Sequence, residues 1–338
     1  MNDSNPYPSL RPLGIESDNL GSQTGSKSSD ITQIPWIDSH QHTQTLSLND
    51  QEKFSLGGAQ AIVMIAANYH WSPYRPVEPE DVRFLWDLAI KWTDYLNVKH
   101  PFETYVAIGI HTVAQVADCD ALLDVLPAYC ALDEVVAIGE TGIEPVQYAS
   151  RWPVEDQKPV VRRQMNIANE AEVPMILHTP TKKDTVGASS EQGWGGLGLS
   201  RPDPTFAYEE PKLEATEMDI ELLDESNLAD EQLIVDHAAP SIIEYVMEST
   251  DCYLVFSVSS PLKGVTASDI ATAIDTYGPG RILINSDMMG YRKCDLFCIP
   301  RLITELYRLG IDKDDIVDVV YRNPKRVLSL DGLSPLPI

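Results

Sequence analysis

Short apolar runs recur along this chain, and between most of them the apolar positions switch to helical spacing. The first run lies at about 35–38 and leads into Asp38-Ser39-His40-Gln41-His42. Further runs are Ala59–Ala67, Tyr105–His111, Val135–Glu140 and Pro174–His178, then Leu233–His237, Tyr253–Val258 and Arg281–Asp287. Most are continuously apolar rather than alternating, the pattern of parallel strands covered on both faces. Between them, Phe84, Leu85, Leu88, Ala89, Trp92 and Leu96 follow helical spacing, as do Ala121, Leu122, Val125, Leu126 and Tyr129. Further helices are expected near 155–171, 241–248, 267–277, 299–309 and 312–320. Eight strands separated mostly by helices predict an α/β fold, a (β/α)8 TIM barrel. The alternative, a doubly wound open sheet, would place a glycine-rich phosphate loop after the first strand. Ser-His-Gln-His-Thr stands there instead.

Two segments fall outside the alternation. Residues 1–33 are rich in Ser, Asn, Gly, Asp and Pro and read as a disordered or loosely docked arm. Residues 34–332 then form a single barrel domain, interrupted at about 181–230 by a stretch that is glycine-rich at its start and acidic towards its end. That stretch is too long for an ordinary loop between strand and helix. It reads either as a lid over the strand ends or as a solvated acidic excursion.

The chemistry-bearing residues gather where a barrel keeps its active site, at the carboxyl ends of the strands. With side chains alternating along a strand, Asp38, His40 and His42 share one face. His178 and His237 end the fifth and sixth strands, Glu140 ends the fourth and Asp287 the eighth. Each alone is ordinary: a hydrogen-bonded histidine, a helix N-cap or a loop charge. Six residues of ligand type at equivalent positions instead predict a metal site of His40, His42, Glu140, His178, His237 and Asp287.

Composition narrows the setting. Among 338 residues, 51 Asp and Glu face 25 Lys and Arg, for a formal charge of −26. Such a surface repels nucleic acid and anionic lipid in dilute salt. Screening at 1 M, where the Debye length is roughly 3 Å, removes most of that repulsion. The balance points to adaptation to a salt-rich cytoplasm. No run reaches the roughly 18 apolar residues of a membrane span, and the N-terminus lacks a basic start and apolar core. Five cysteines without a zinc-type doublet read as buried thiols in a reducing compartment. A cytoplasmic protein with no membrane contact and no stable protein partner is expected.

Asp38-Ser39-His40-Gln41-His42, Gly139-Glu140-Thr141-Gly142, Ile176-Leu177-His178-Thr179, Asp236-His237, Ser286-Asp287 and the late Asn323-Pro324 together resemble the TatD-like metal-dependent hydrolases of the amidohydrolase superfamily. A glutamate after strand four, where other branches carry a carbamylated lysine, marks this branch. The resemblance implies one or two divalent ions. His40 and His42 would hold one, with Asp287 beside it; His178 and His237 would hold the second, and Glu140 would bridge. The donor mixture suits zinc, manganese, cobalt or iron and makes magnesium less attractive; zinc or manganese is the favoured expectation. Asp287 is the expected catalytic base.

Around that set, His111 is a candidate substrate contact and His70 a candidate pocket residue. Lys182 with Lys183, Arg292 with Lys293, and Arg162-Arg163 are candidate phosphate contacts, the last pair reading better as a solvated surface pair. Asp38 is expected to orient a ligand imidazole from behind; Asp236 is a weaker candidate for the same task because it alternates away from His237. The resemblance implies a phosphoester substrate, either a small molecule or a nucleotide or nucleic acid. Hydrolysis of a small amide, cyclic amide or lactone is the alternative. A non-catalytic, metal-stabilised barrel in a biosynthetic complex is a third reading.

Overall fold

The computed structural model describes residues 31, 33–66, 76–145, 152–180, 209–259, 265–290 and 294–333. Residues 1–30 of the expected arm, residues 181–208 of the expected insertion, and His70, Lys182, Lys183, Arg292 and Lys293 lie outside the described residues.

Nine strands run in chain order: β1 (Trp36–His42), β2 (Ala59–Ala66), β3 (Glu103–Ile108), β4 (Val135–Thr141), β5 (Met175–His178), β6 (Leu233–Asp236), β7 (Tyr253–Ser257), β8 (Ile282–Asn285) and β9 (Met288–Met289). All pair in parallel, in the order β8-β7-β6-β5-β4-β3-β2-β1-β9. The short β9 continues β8 beyond Ser286-Asp287 and lies beside β1, Met288 opposite Gln41 and Met289 opposite His42. The Asp287 amide donates to the His40 carbonyl at 2.9 Å. The eighth strand thereby joins the first, and the sheet closes as a TIM barrel. Ala61 to Ile65 of β2 are wholly buried, as the continuous apolar run requires of a strand with helices outside and packed side chains inside.

Around the sheet lie α1 (Leu48–Leu56), α2 (Pro79–Lys99), α3 (Cys119–Cys130), α4 (Val154–Ala171), α5 (Glu209–Asp224), α6 (Pro240–Ser249), α7 (Ala267–Tyr277), α8 (Cys298–Leu309), α9 (Lys313–Val317) and α10 (Asn323–Val327). Local chemistry sets their ends. In α7, Thr266 accepts from the Asp269 amide at 3.2 Å while the Asp269 carboxylate accepts from the Thr266 amide at 2.8 Å. This reciprocal cap satisfies two donors that the first turn leaves open. Ile270, Ala271, Ala273 and Ile274 then turn one face inward. Among the described residues no helix is long and apolar enough to cross a membrane.

Three helices were not expected: α1, α5 and α10. The largest difference is α5, within the stretch read as an irregular acidic excursion. Its buried positions are Lys212, Ala215, Thr216, Asp219, Ile220, Leu222 and Leu223. The spacing is helical, but polar residues occupy three of the seven inward positions, so a hydrophobic pattern does not reveal it. The described second half of 181–230 is therefore part of the barrel wall.

At the amino ends of the strands, Arg281 donates to the carbonyls of Met247, Thr250 and Cys252 at 2.7–2.9 Å. Asn323 donates to the carbonyls of Pro279 and Ile282 at 2.7 and 2.8 Å. Asn323-Pro324 thus fastens the last helix across the base of β8.

Candidate metal centre

The six expected ligands converge at the carboxyl ends of the strands, and each is at most 4 % exposed. Two occupy backbone that non-glycine residues rarely adopt: His237 has φ 59° and Asp287 φ 44°. A left-handed residue costs roughly 1–2 kcal/mol, and such outliers cluster at functional sites. His237 directly follows the last ladder residue of β6, and Asp287 stands two residues after that of β8.

The first group of donors is compact. His40 Nε2 lies 3.4 Å from His42 Nε2 and 3.6 Å from Asp287 Oδ1, and His42 Nε2 lies 3.2 Å from Asp287 Oδ1. Glu140 Oε1 approaches His40 Nε2 to 3.6 Å. Ligand atoms held about 2.0–2.1 Å from a tetrahedral ion stand roughly 3.3–3.4 Å from one another. The three contacts among His40, His42 and Asp287 are therefore close to the spacing of ligands on one ion, and Glu140 adjoins them through His40. The other Glu140 oxygen faces a second group: Oε2 is 3.3 Å from His237 Nε2 and 2.8 Å from His178 Nδ1. One carboxylate thus presents one oxygen to His40 and the other to His178 and His237, as a bridging ligand would.

Two of the rings are hydrogen-bonded on their far side. His40 Nδ1 is 2.7 Å from Asp236 Oδ2, and His237 Nδ1 is 2.7 Å from Ser257 Oγ. His178 Nε2 faces Glu144 Oε2 at 4.0 Å. Asp236 is itself held by the Asn285 amide at 2.8 Å, the His237 backbone amide at 2.6 Å and the Ser257 hydroxyl at 3.2 Å. Burial pushes the Asp236 carboxyl upward, but His237, His40 and these bonds outweigh it and hold it below the ordinary carboxylate value. Burial likewise raises Glu140, yet His40, His178 and His111 together hold it well below that value. Both are carboxylates at neutral pH, as metal ligation and ring orientation require.

The expectation for Asp38 is corrected. Its oxygens accept from the Ser286 backbone amide and the Gln41 side-chain amide, both at 2.9 Å, and from the His40 backbone amide at 3.4 Å. The irregular register between Asp38 and Gln41 breaks the simple alternation that places Asp38 beside the rings. Asp38 fixes the path of β1 against the end of β8, and Asp236 meets the His40 ring. Asp236 does so because His237 leaves the strand in left-handed backbone, letting consecutive side chains reach one site.

His111 is buried, its ring centroid 4.4 Å from that of His178, and it groups with Glu140 and His178. Arg162 and Arg163 lie elsewhere: Arg162 pairs with Glu225 at 2.7 Å, and Arg163 with Asp120 at 2.6 Å and with Asp124. They hold neighbouring helices together on the outer surface. The five cysteines are free.

Sequence reasoning missed Glu144, Ser257, Asn285 and Lys212. Ser257 and Asn285 end strands that were recognised, so their position alone could have marked them. Glu144 lies four residues beyond Glu140 and offered no separate pattern. Lys212 lies on a helix that was not recognised.

A family model described as TatD related DNase matches residues 37–329. A metal-dependent hydrolase of Methanocaldococcus jannaschii is 27 % identical over 289 residues, covering 86 % of this chain and 98 % of that protein. The crystal structure of a TatD-like protein from Archaeoglobus fulgidus superposes with a TM-score of 0.61 at 20 % identity, covering 87 % of this chain and all of that one. A phosphotriesterase homology protein from Escherichia coli, crystallised with phosphate in its active site, gives 0.57 at 10 % identity, covering 88 % of this chain and 99 % of that one. The two structures share the fold. With the family model spanning the barrel from β1 to beyond α10, the chain belongs to the TatD family of metal-dependent hydrolases.

Proposed function

We propose that this protein is a two-metal phosphoesterase whose substrate is a small phosphodiester or short nucleotide. The observation that carries the reading is the donor geometry: His40, His42 and Asp287 present three atoms 3.2–3.6 Å apart, and Glu140 stands between His40 and a second histidine pair. In this reading His40, His42 and Asp287 would hold one ion, His178 and His237 the other, and Glu140 would be shared between them. Ions held there supply Lewis acidity and lower the pKa of water towards 7.

The chain's own residues do the rest. Asp287 reaches the site from left-handed backbone, with Oδ1 towards His42 and Oδ2 3.9 Å from His237 Nδ1. It takes a proton from the attacking water and returns it to the oxygen that leaves phosphorus. One P–O bond forms, one breaks, and a phosphomonoester and an alcohol result. His111, on the wall beside His178, donates to a phosphoryl oxygen. Asp236 and Ser257 keep the His40 and His237 rings aimed during turnover.

The family description supplies the phosphoester class, and the charge of −26 favours a short substrate over a long polyanion. The test is a reporter screen in molar salt with added manganese or zinc, comparing a nitrophenyl phosphodiester, a nitrophenyl ester, a dihydropyrimidine and duplex DNA. Metal-dependent release from the phosphodiester, exceeding cleavage of duplex DNA, is expected. Ring opening of the dihydropyrimidine with the phosphodiester untouched would replace this reading with amide hydrolysis.

A further inference from the structure

Lys212 presents a buried ammonium group to the edge of the metal centre. It lies on α5, is 5 % exposed, and donates from Nζ to the Thr179 hydroxyl and to the His237 carbonyl, both at 2.7 Å. Thr179 in turn donates to the Asp236 carbonyl at 2.6 Å. These two carbonyls stand where β6 ends. The ladder with β5 runs as far as His178 opposite Asp236, and His237 then turns left-handed with φ 59°. A carbonyl carried off the ladder by such a turn needs a donor from elsewhere when buried. Lys212 and Thr179 provide donors to two consecutive ones.

A lysine is seldom buried so completely, because removing its charge from water is costly unless several acceptors surround it. A neutral donor could satisfy a single carbonyl. The ammonium spans the ends of two strands, touching the residue after His178 and the backbone of His237 at once. We infer that Lys212 is a positioning residue. It sets the spacing between the strand ends bearing His178 and His237, and it holds His237 in the left-handed turn that aims Nε2 at Glu140. The inference rests on the metal assignment proposed above and gives α5 a task within it: the helix braces the second ion's half of the site. The first ion's half, on β1 and after β8, is braced by Asp38 and Asp236 instead.

The test compares wild type, K212M, K212R and T179V, with E214Q as a control at an exposed position of the same helix. Ions per chain and the affinity of each manganese ion are measured by titration, and thermal melts are recorded without metal. Wild type and E214Q should bind two ions. K212M should bind the second at least tenfold more weakly while keeping the first, K212R should fall between, and T179V should weaken the second ion in the same sense. Two ions of unchanged affinity in K212M would overturn the inference. So would equal weakening of both ions in step with a lowered melt, since that is the mark of general destabilisation. If K212M does not fold, K212R and T179V carry the test, and wild-type affinity for the second ion in both would overturn it. Wild type binding no ion would instead remove the underlying metal assignment.

Discussion

The two ends of the barrel handle buried polarity in opposite ways. At the amino end, Arg281, Asn323 and Arg326 aim donors outward to backbone carbonyls at 2.7–2.9 Å, closing contacts that hold helices to strand starts. At the carboxyl end, His40, His42, Glu140, His178, His237 and Asp287 converge on one another, with two of the six in left-handed backbone. One arrangement is what stability alone requires. The other gathers carboxylates and imidazoles in greater density than packing needs and adds backbone strain, so its rationale lies in a bound ion.

Substitutions can break or sharpen this contrast. The largest effect is expected for Asp287→Asn, which should lower phosphodiester turnover about 10²- to 10⁴-fold while leaving most metal bound; kinetics with metal analysis on one sample checks both. Normal turnover would show the base to be misassigned. Next is Asp236→Asn. It weakens the contact that sets the His40 ring and should cost about 10- to 100-fold in metal affinity, read by competition with a chelating dye.

At the opposite end, Arg281→Met removes three donated bonds. It should cost about 1–3 kcal/mol of stability by chemical denaturation with turnover per folded molecule unchanged. A loss of turnover there would blur the distinction between the ends.

The smallest effect concerns Asp219, buried on α5 and accepting from the Ile143 amide at 3.0 Å. Burial pushes its pKa well above the ordinary 3.8, Glu144 adds to that, and the Ile143 bond opposes it. A carboxyl with a raised folded pKa contributes stability at low pH and loses it as pH rises through that pKa. Asp219→Asn should therefore melt higher than wild type near pH 8, with the gap shrinking as pH falls towards 4. Parallel melting curves across that range would contradict the assignment.

Much of this is legible in the amino-acid sequence. Eight apolar runs, most of them continuous, give the barrel because a parallel strand covered on both faces has little freedom in composition. The convergence of the six expected ligands was legible because a barrel's geometry puts strand ends at one rim. What could not be read are places where regular alternation stops. Asp236 supports His40 only because the chain turns left-handed at His237, and Asp38 turns to the backbone because β1 is irregular before Gln41. The helix α5 was hidden because Lys212, Thr216 and Asp219 face inward and break its apolar stripe. Such buried polar residues become intelligible only with their partners, which are 25 to 76 positions distant for Lys212 and Asp219.

The central claim is that two ions share Glu140 at the carboxyl rim. Anomalous scattering from crystals grown with manganese or zinc tests it most directly. The account predicts two peaks about 3.5–4 Å apart, one against His40, His42 and Asp287, the other against His178 and His237, with Glu140 between them. An absence of peaks at the rim, or peaks confined to the acidic outer surface, would contradict it.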